Sequence, residues 1–168
     1  QPTNYIVQSS IYNSSYDTPV LTAGKKVLLG CTNEKYGIFK KLPAIIFDDF
    51  TTASKYIDFE FKVKSSAIKI LLPKNNSVNL KLVFQIMQMI NFKVGEHKRH
   101  WISEYQKIEI RLPKPNEQTA IIQVLSSMQS EINSLLARQD KTRNLKQAMM
   151  KELLSGKTRL IEPKELYA

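Results

Sequence analysis

One cysteine, two histidines, five glycines and one tryptophan are all that this 168-residue chain has of those residue types. A lone Cys31 cannot close an internal disulfide, and with His97 and His100 as the only further soft donors no four-ligand structural zinc site can be assembled. Cys31 lies in the apolar run Val27-Leu28-Leu29-Gly30-Cys31 and is expected as a small buried side chain. Long hydrophobic runs are missing too. Stretches such as Ala44 to Phe47 and Ala120 to Ile122 fall far short of the roughly 18 to 20 residues that span a bilayer. The polar start at Gln1 has no signal-peptide core, and a soluble, cytoplasmic protein is the expectation. There is no Gly-rich phosphate loop, no zinc-protease histidine pair, no nucleophile-elbow serine and no dinucleotide-binding glycine fingerprint. Catalysis by this chain therefore has little to stand on.

Apolar residues make up 42% of the chain and charged residues 24%, the balance of an ordinary folded protein. The length fits one compact domain plus an appendage. Lysine and arginine number 25 against 15 acidic residues, a net charge of +10. Residues 1–115 hold 17 of the cations and 9 of the anions, so nearly all of the excess lies there. Such an excess on a folded domain favours a polyanionic partner, nucleic acid above all, through phosphate neutralisation. Solubility alone is the plainer reading of the same charge.

In the first part, short apolar runs alternate with turn signals. Tyr5–Val7, Pro19–Leu21, Lys26–Cys31, Ala44–Phe47, Asp58–Val63, Ala67–Leu72 and Lys107–Leu112 are read as strands. Phe59, Phe61 and Val63 alternate with Glu60, Lys62 and Lys64, and Ile108, Ile110 and Leu112 alternate with Glu109 and Arg111, the period of a sheet with one wet, basic face. Between them, Leu80, Val83, Phe84, Met87 and Ile90 recur at helical spacing after Asn79, a suitable N-cap, and predict a packing helix.

Pro113-Lys114-Pro115 ends the last strand, because proline offers no ladder donor and restricts its predecessor. Asn116 is the expected N-cap of a new helix, and neither Gly nor Pro follows until Gly156, which is placed to terminate it. About 38 residues at 1.5 Å each extend roughly 57 Å, too long to lie on a domain of this size without overhang. Ile121, Leu125, Met128, Ile132, Leu135, Met149 and Leu153 follow a 4-3 spacing that passes through polar Gln139 and Thr142. This coiled-coil stripe needs a partner helix, most simply that of a second copy. The competing reading folds the helix back over its own domain.

Two clusters offer chemistry. Asp48-Asp49 ends an apolar run, where carboxylates hold magnesium in nucleases, but adjacent strand residues face opposite ways and a turn or a polar base contact suits them better. His97-Lys98-Arg99-His100-Trp101 interleaves cations with aromatics, the composition of phosphate and base contacts. Lys25, Lys26, Asn33 to Tyr36, and Lys55 after Thr51-Thr52 form a second basic set.

The segments Thr18-Pro19-Val20-Leu21-Thr22-Ala23-Gly24-Lys25, Ile46-Phe47-Asp48-Asp49-Phe50-Thr51-Thr52, His100-Trp101-Ile102-Ser103-Glu104-Tyr105, Leu112-Pro113, Glu117-Gln118 and Leu154-Ser155-Gly156-Lys157-Thr158-Arg159-Leu160, in this order, resemble the DNA-specificity subunit of type I restriction-modification systems. The resemblance implies an α+β chain: a strand-rich target-recognition domain over residues 1–115, a long spacer and dimerisation helix over 116–156, and a tail over 157–168. It implies that the chain reads half of a bipartite site in double-stranded DNA and scaffolds modification and restriction subunits without catalysis of its own. S-adenosylmethionine, ATP and magnesium would belong to those partners, which methylate adenine and cleave DNA. Members of the family hold two recognition domains and two helices, whereas this chain has one of each, so a half-subunit that homodimerises through its helix is expected. On this basis Lys25, Lys26, Lys35, Thr51, Thr52, Lys55, His97, Lys98, Arg99 and His100 are the expected DNA-facing set. The other readings are a free-standing dimeric DNA-binding regulator and a small magnesium-dependent nuclease built on Asp48 or Asp49.

Overall fold

A computed structural model of the chain describes residues 2–22, 26–90 and 100–160. The architecture is α+β. Strands β1 (Thr18–Leu21), β2 (Leu28–Thr32), β3 (Ala44–Asp48), β4 (Ser54–Ile57), β5 (Lys62–Val63) and β6 (Ile68–Leu71) precede the helices α1 (Leu80–Met89), α2 (His100–Ser103) and α3 (Pro115–Leu154). The strands form two three-stranded sheets, ordered β2-β1-β5 and β4-β3-β6. β1 runs antiparallel to β2 and parallel to β5, while β3 pairs antiparallel with both its neighbours.

The side-chain period of a strand explains the layering. Ala44 and Ile46 of β3 point to one side, where they meet Leu21, Phe39, Ile57, Phe61, Val63 and Ile68. Ile45 and Phe47 point to the other, where they meet Leu80, Met87 and Tyr105, with Val83, Phe84, Ile90 and Trp101 packed around them. All five β3 residues are buried, which is why this strand reads as an unbroken apolar run instead of an alternation. The helical stripe expected after Asn79 is the one that packs here. The Asn79 side chain accepts from the amides of Lys81 and Leu82 at 3.1 and 3.2 Å, satisfying two of the donors that a helix start leaves free.

Several expectations change. Lys107–Leu112 is not a strand. Tyr105 is drawn under Phe47, with ring centroids 4.4 Å apart, so the chain turns through a 3-10 segment at Tyr105–Lys107 and pairs with no strand of the described residues. β4 went unanticipated because Ser54-Lys55-Tyr56-Ile57 has too few apolar residues to stand out. The run from Asp58 pairs only at Lys62 and Val63, preceded by a single bridge between Phe39 and Phe61. Its expected basic, wet face is broken at Lys62, which is 3% exposed and ion-paired at 2.6 Å with Glu34. Cys31 is half-buried and not fully enclosed, because β2 is an edge strand.

The long helix begins at Pro115, one residue before Asn116. Proline suits a first helical position, where its missing donor costs nothing, and the amide of Gln118 closes the first turn on Lys114 O at 3.0 Å. It ends as expected at Gly156, whose φ of +74° lets the amides of Gly156 and Lys157 reach the carbonyls of Leu153 and Glu152. The chain divides into two compact units, residues 1–122 and 123–168. The division falls inside the helix because Gln118, 3% exposed, is tied to the first unit. Its Oε1 accepts from Asn79 N at 2.8 Å, and its Nε2 donates to Ser77 O at 3.1 Å and Pro113 O at 2.8 Å. Among the described residues, no helix is long and apolar enough to cross a membrane.

Candidate nucleic-acid interface

Lys25, His97, Lys98 and Arg99 lie outside the described residues. The remaining members of the expected DNA-facing set fall into three places. Lys26 and Lys35 flank β2 at its opposite ends, both exposed. Lys35 lies 3.8 Å from Asp17, but both side chains are well solvated, and such a pair contributes little and leaves the ammonium accessible to a phosphate.

Thr51, Thr52 and Lys55 are gathered by the tight turn between β3 and β4. Asp48 shapes that turn: one carboxylate oxygen accepts from Phe50 N at 2.9 Å, the other from the Thr51 hydroxyl at 2.7 Å. Thr52 N–H closes on Asp48 O at 2.9 Å, and Thr52 itself sits at φ 58°, a left-handed conformation that is costly for a β-branched residue. The hydrogen bonds around it hold that strained geometry in place. Thr51 and Lys55 are exposed beside it.

His100 does not belong on this surface. It is 1% exposed, because Asp49 pulls the start of α2 inward. The amides of His100 and Trp101 donate to the Asp49 carbonyl at 2.9 Å and to its Oδ1 at 2.8 Å, satisfying the first donors of that helix. Asp49 Oδ2 lies 3.1 Å from Lys69 Nζ, and the Asp49 side chain is wholly buried. Trp101 packs its ring 5.0 Å from that of Phe47. Asp48 and Asp49 thus do structural work, one shaping a turn and the other anchoring α2. No group of three or more His, Cys, Asp or Glu suited to a metal ion occurs among the described residues.

A second ion pair, between buried Lys62 and half-buried Glu34, sits under the loop after β2. The Glu34 carboxylate accepts from Gln8 N at 3.0 Å, Ser9 N at 2.7 Å and Lys62 Nζ, and Lys62 Nζ also donates to Tyr36 O at 2.7 Å. Burial alone would raise the Glu34 pKa. The hydrogen bonds from Lys62, Ser9 and Gln8, together with the Lys62 charge, outweigh it and hold the carboxyl below its usual range. Neither this pair nor Asp49 with Lys69 is apparent from spacing, since the partners are far apart in sequence.

In the long helix, Leu125, Met128, Ile132, Leu135 and Met149 are exposed in the single chain, while Ile121 and Leu153 are half-buried. Ile121 belongs to the first unit, where the helix starts. From Gln123 onward the helix carries the apolar row Leu125, Met128, Ile132 and Leu135, then polar Gln139 and Thr142 with Arg138, Arg143 and Lys146 beside them, and then Met149.

No family model matches the chain. It is, however, 39% identical to the "Type I restriction enzyme EcoR124I/EcoR124II specificity subunit" of Escherichia coli, over 99% of its own length and 44% of that relative. The chain therefore spans less than half the length of the curated relative it matches. Over nearly its whole length, then, the chain is similar to a type I restriction enzyme specificity subunit.

Proposed function

We propose that this chain is a DNA-reading specificity component of a type I restriction-modification complex. Residues 1–115 bind duplex DNA and read one half of a split site. The long helix pairs with a second helix of the same kind, spaces two reading units and scaffolds modification and restriction subunits. The chain is non-catalytic on this reading. Adenine methylation with S-adenosylmethionine, and ATP- and magnesium-dependent cleavage, belong to its cytoplasmic partners.

The identity with a specificity subunit over nearly the whole chain carries this reading. Two features support it independently. The cationic excess is concentrated in the first 115 residues, which suits phosphate neutralisation. The 40-residue α3 leaves its heptad row uncovered in a single chain, and an apolar row of that length favours a partner helix. A second copy packed antiparallel would supply it and restore two reading units about a two-fold axis. At 1.5 Å per residue the helix is about 60 Å long, of the order of one and a half to two DNA turns.

Methylation mapping in cells that express this chain with a methyltransferase subunit tests both parts. A split site with two inverted identical halves is expected. No site-specific methylation would overturn the reading role, and two unrelated half-sites would overturn the homodimer. Sedimentation of Leu125→Glu/Ile132→Glu should give a monomer where the native chain gives a dimer.

A further inference from the structure

The loop that follows β2 displays a large aromatic ring in water and is held in one shape by groups buried beneath it. Tyr36 is 88% exposed, more than any other large apolar or aromatic side chain among the described residues. A ring left in solvent is common when the backbone under it is loose. Here it is not loose. Lys62, 3% exposed, reaches up to bind the Tyr36 carbonyl at 2.7 Å, while its other contact, Glu34 at 2.6 Å, also clasps the amides of Gln8 and Ser9. Gly37 follows at φ +62°, and a Cβ there would stand 2.5 Å from Asn4 O, so this position accepts glycine alone.

Burying the Lys62 ammonium beside a half-buried carboxylate is costly, and an apolar pair of similar volume often stabilises a fold at least as well. The pair does something an apolar one cannot: it fixes a backbone carbonyl and two amides around a loop tip. Beside the tip lies an open, polar cleft of about 630 Å³, lined by Asn4, Gln8, Glu34, Lys35, Tyr36 and Lys62. An exposed aromatic on a held backbone, with a cation next to it and a polar cleft at its foot, has the make-up of a base-contacting element. The ring supplies apolar contact area for a base edge or sugar at little entropic cost, and the polar rim supplies hydrogen bonds.

We propose that the Asn33–Gly37 loop is a specificity element of the DNA-binding surface, with Tyr36 contacting a base or deoxyribose through its ring and with Glu34 and Lys62 as the residues that position it. This rests on the DNA-reading role proposed above. Lys35 contributes a phosphate contact, and Tyr36 contributes discrimination between sequences.

The test uses the full chain and a duplex pool with a randomised core. Duplexes that the native chain enriches are compared with scrambled versions of themselves in binding titrations over a range of salt. Tyr36→Ala should weaken binding to the enriched duplex by about ten- to a hundredfold, the scale of one lost specific contact in a duplex site. The slope of affinity against salt should stay as it was, since no charge is removed. Tyr36→Phe should bind like the native chain, and Lys35→Ala should lower the salt slope by about one phosphate's worth. Glu34→Gln should reduce the preference for the enriched over the scrambled duplex while leaving the salt slope in place, which a purely structural role would not do. Thermal melting of Tyr36→Ala should match the native chain, because the ring packs on nothing. If the native chain enriches a sequence and Tyr36→Ala binds it equally well, the assignment of this loop is overturned. If the native chain enriches no sequence at all, the DNA-reading role falls, and the loop's role with it.

Discussion

Replacing Gln118 by leucine removes the side chain that ties the first turn of α3 to the first compact unit. Its amide group makes three hydrogen bonds, to Asn79 N, Ser77 O and Pro113 O, from a site that is 3% exposed. Each such bond contributes about 1 kcal/mol net, so the loss of three comes to about 3 kcal/mol. Leucine returns roughly 1 kcal/mol through its added apolar burial. The net destabilisation is therefore about 2 kcal/mol, or a fall in melting temperature of about 4–8 °C for a chain of this size. Urea unfolding at fixed protein concentration measures it, with concentration held constant because helix pairing adds to apparent stability. Gln118→Glu sharpens the test. It keeps an oxygen for Asn79 N but sets a carboxylate against two carbonyls, so at neutral pH it should be worse than leucine and should recover in acid as the carboxyl takes up a proton. A loss below about 0.5 kcal/mol for Gln118→Leu, the range of ordinary surface changes, would refute the reasoning, as would a glutamate better tolerated than leucine.

Lys69→Met leaves the Asp49 carboxylate buried without its cation and should cost about 3–5 kcal/mol, with Asp49→Asn in the same chain recovering part of it; denaturant unfolding decides. Because the Glu34 pKa is depressed in the fold, its contribution to stability is complete above the ordinary carboxylate pKa of about 4.3 and is lost as pH falls through the lowered folded value. The native chain should therefore be more stable than Glu34→Gln near neutrality, and the two unfolding curves should converge in acid; a gap that persists there would count against the ion pair. Thr52→Asn relieves a β-branched residue at φ 58° and should raise stability by about 1 kcal/mol, read as an upward shift in melting temperature; a downward shift would show that the turn is not strained.

What the chain's letters disclose depends on how local the cause is. Asn79 and the Leu80, Val83, Phe84, Met87 and Ile90 stripe predict α1 correctly because capping and helical period are both read within one turn or two. Gly156 predicts the end of α3 for the same reason. Lys62 and His100 mislead because their burial is settled by residues distant in sequence: Glu34 supplies the counter-charge for one, and Asp49 captures the backbone beneath the other. The alternation from Lys107 to Leu112 looks like a strand, yet Tyr105 packing on Phe47 redirects the chain before any partner strand can be met. In the candidate interface, the Thr51-Thr52 turn and the exposed Lys26, Lys35 and Lys55 were legible from composition. Tyr36 stands out in the sequence only as a member of a basic stretch, since its exposure has no signature in residue type.

β3 belongs to two cores at once, with Ala44 and Ile46 on one side and Ile45 and Phe47 on the other. A defect in either layer is therefore felt by the strand they share, and the two layers should unfold as one cooperative body. The turn that carries Thr51 and Thr52 hangs from the end of that strand, so where it starts is set by the packing of β3, while the Thr51 hydroxyl on Asp48 helps fix its shape. Exchanging an exposed side chain beside the turn, such as Lys55, then changes what the surface offers to a ligand while the strand keeps the place where it is offered. A scaffold of this kind can alter its preference one residue at a time while keeping its fold.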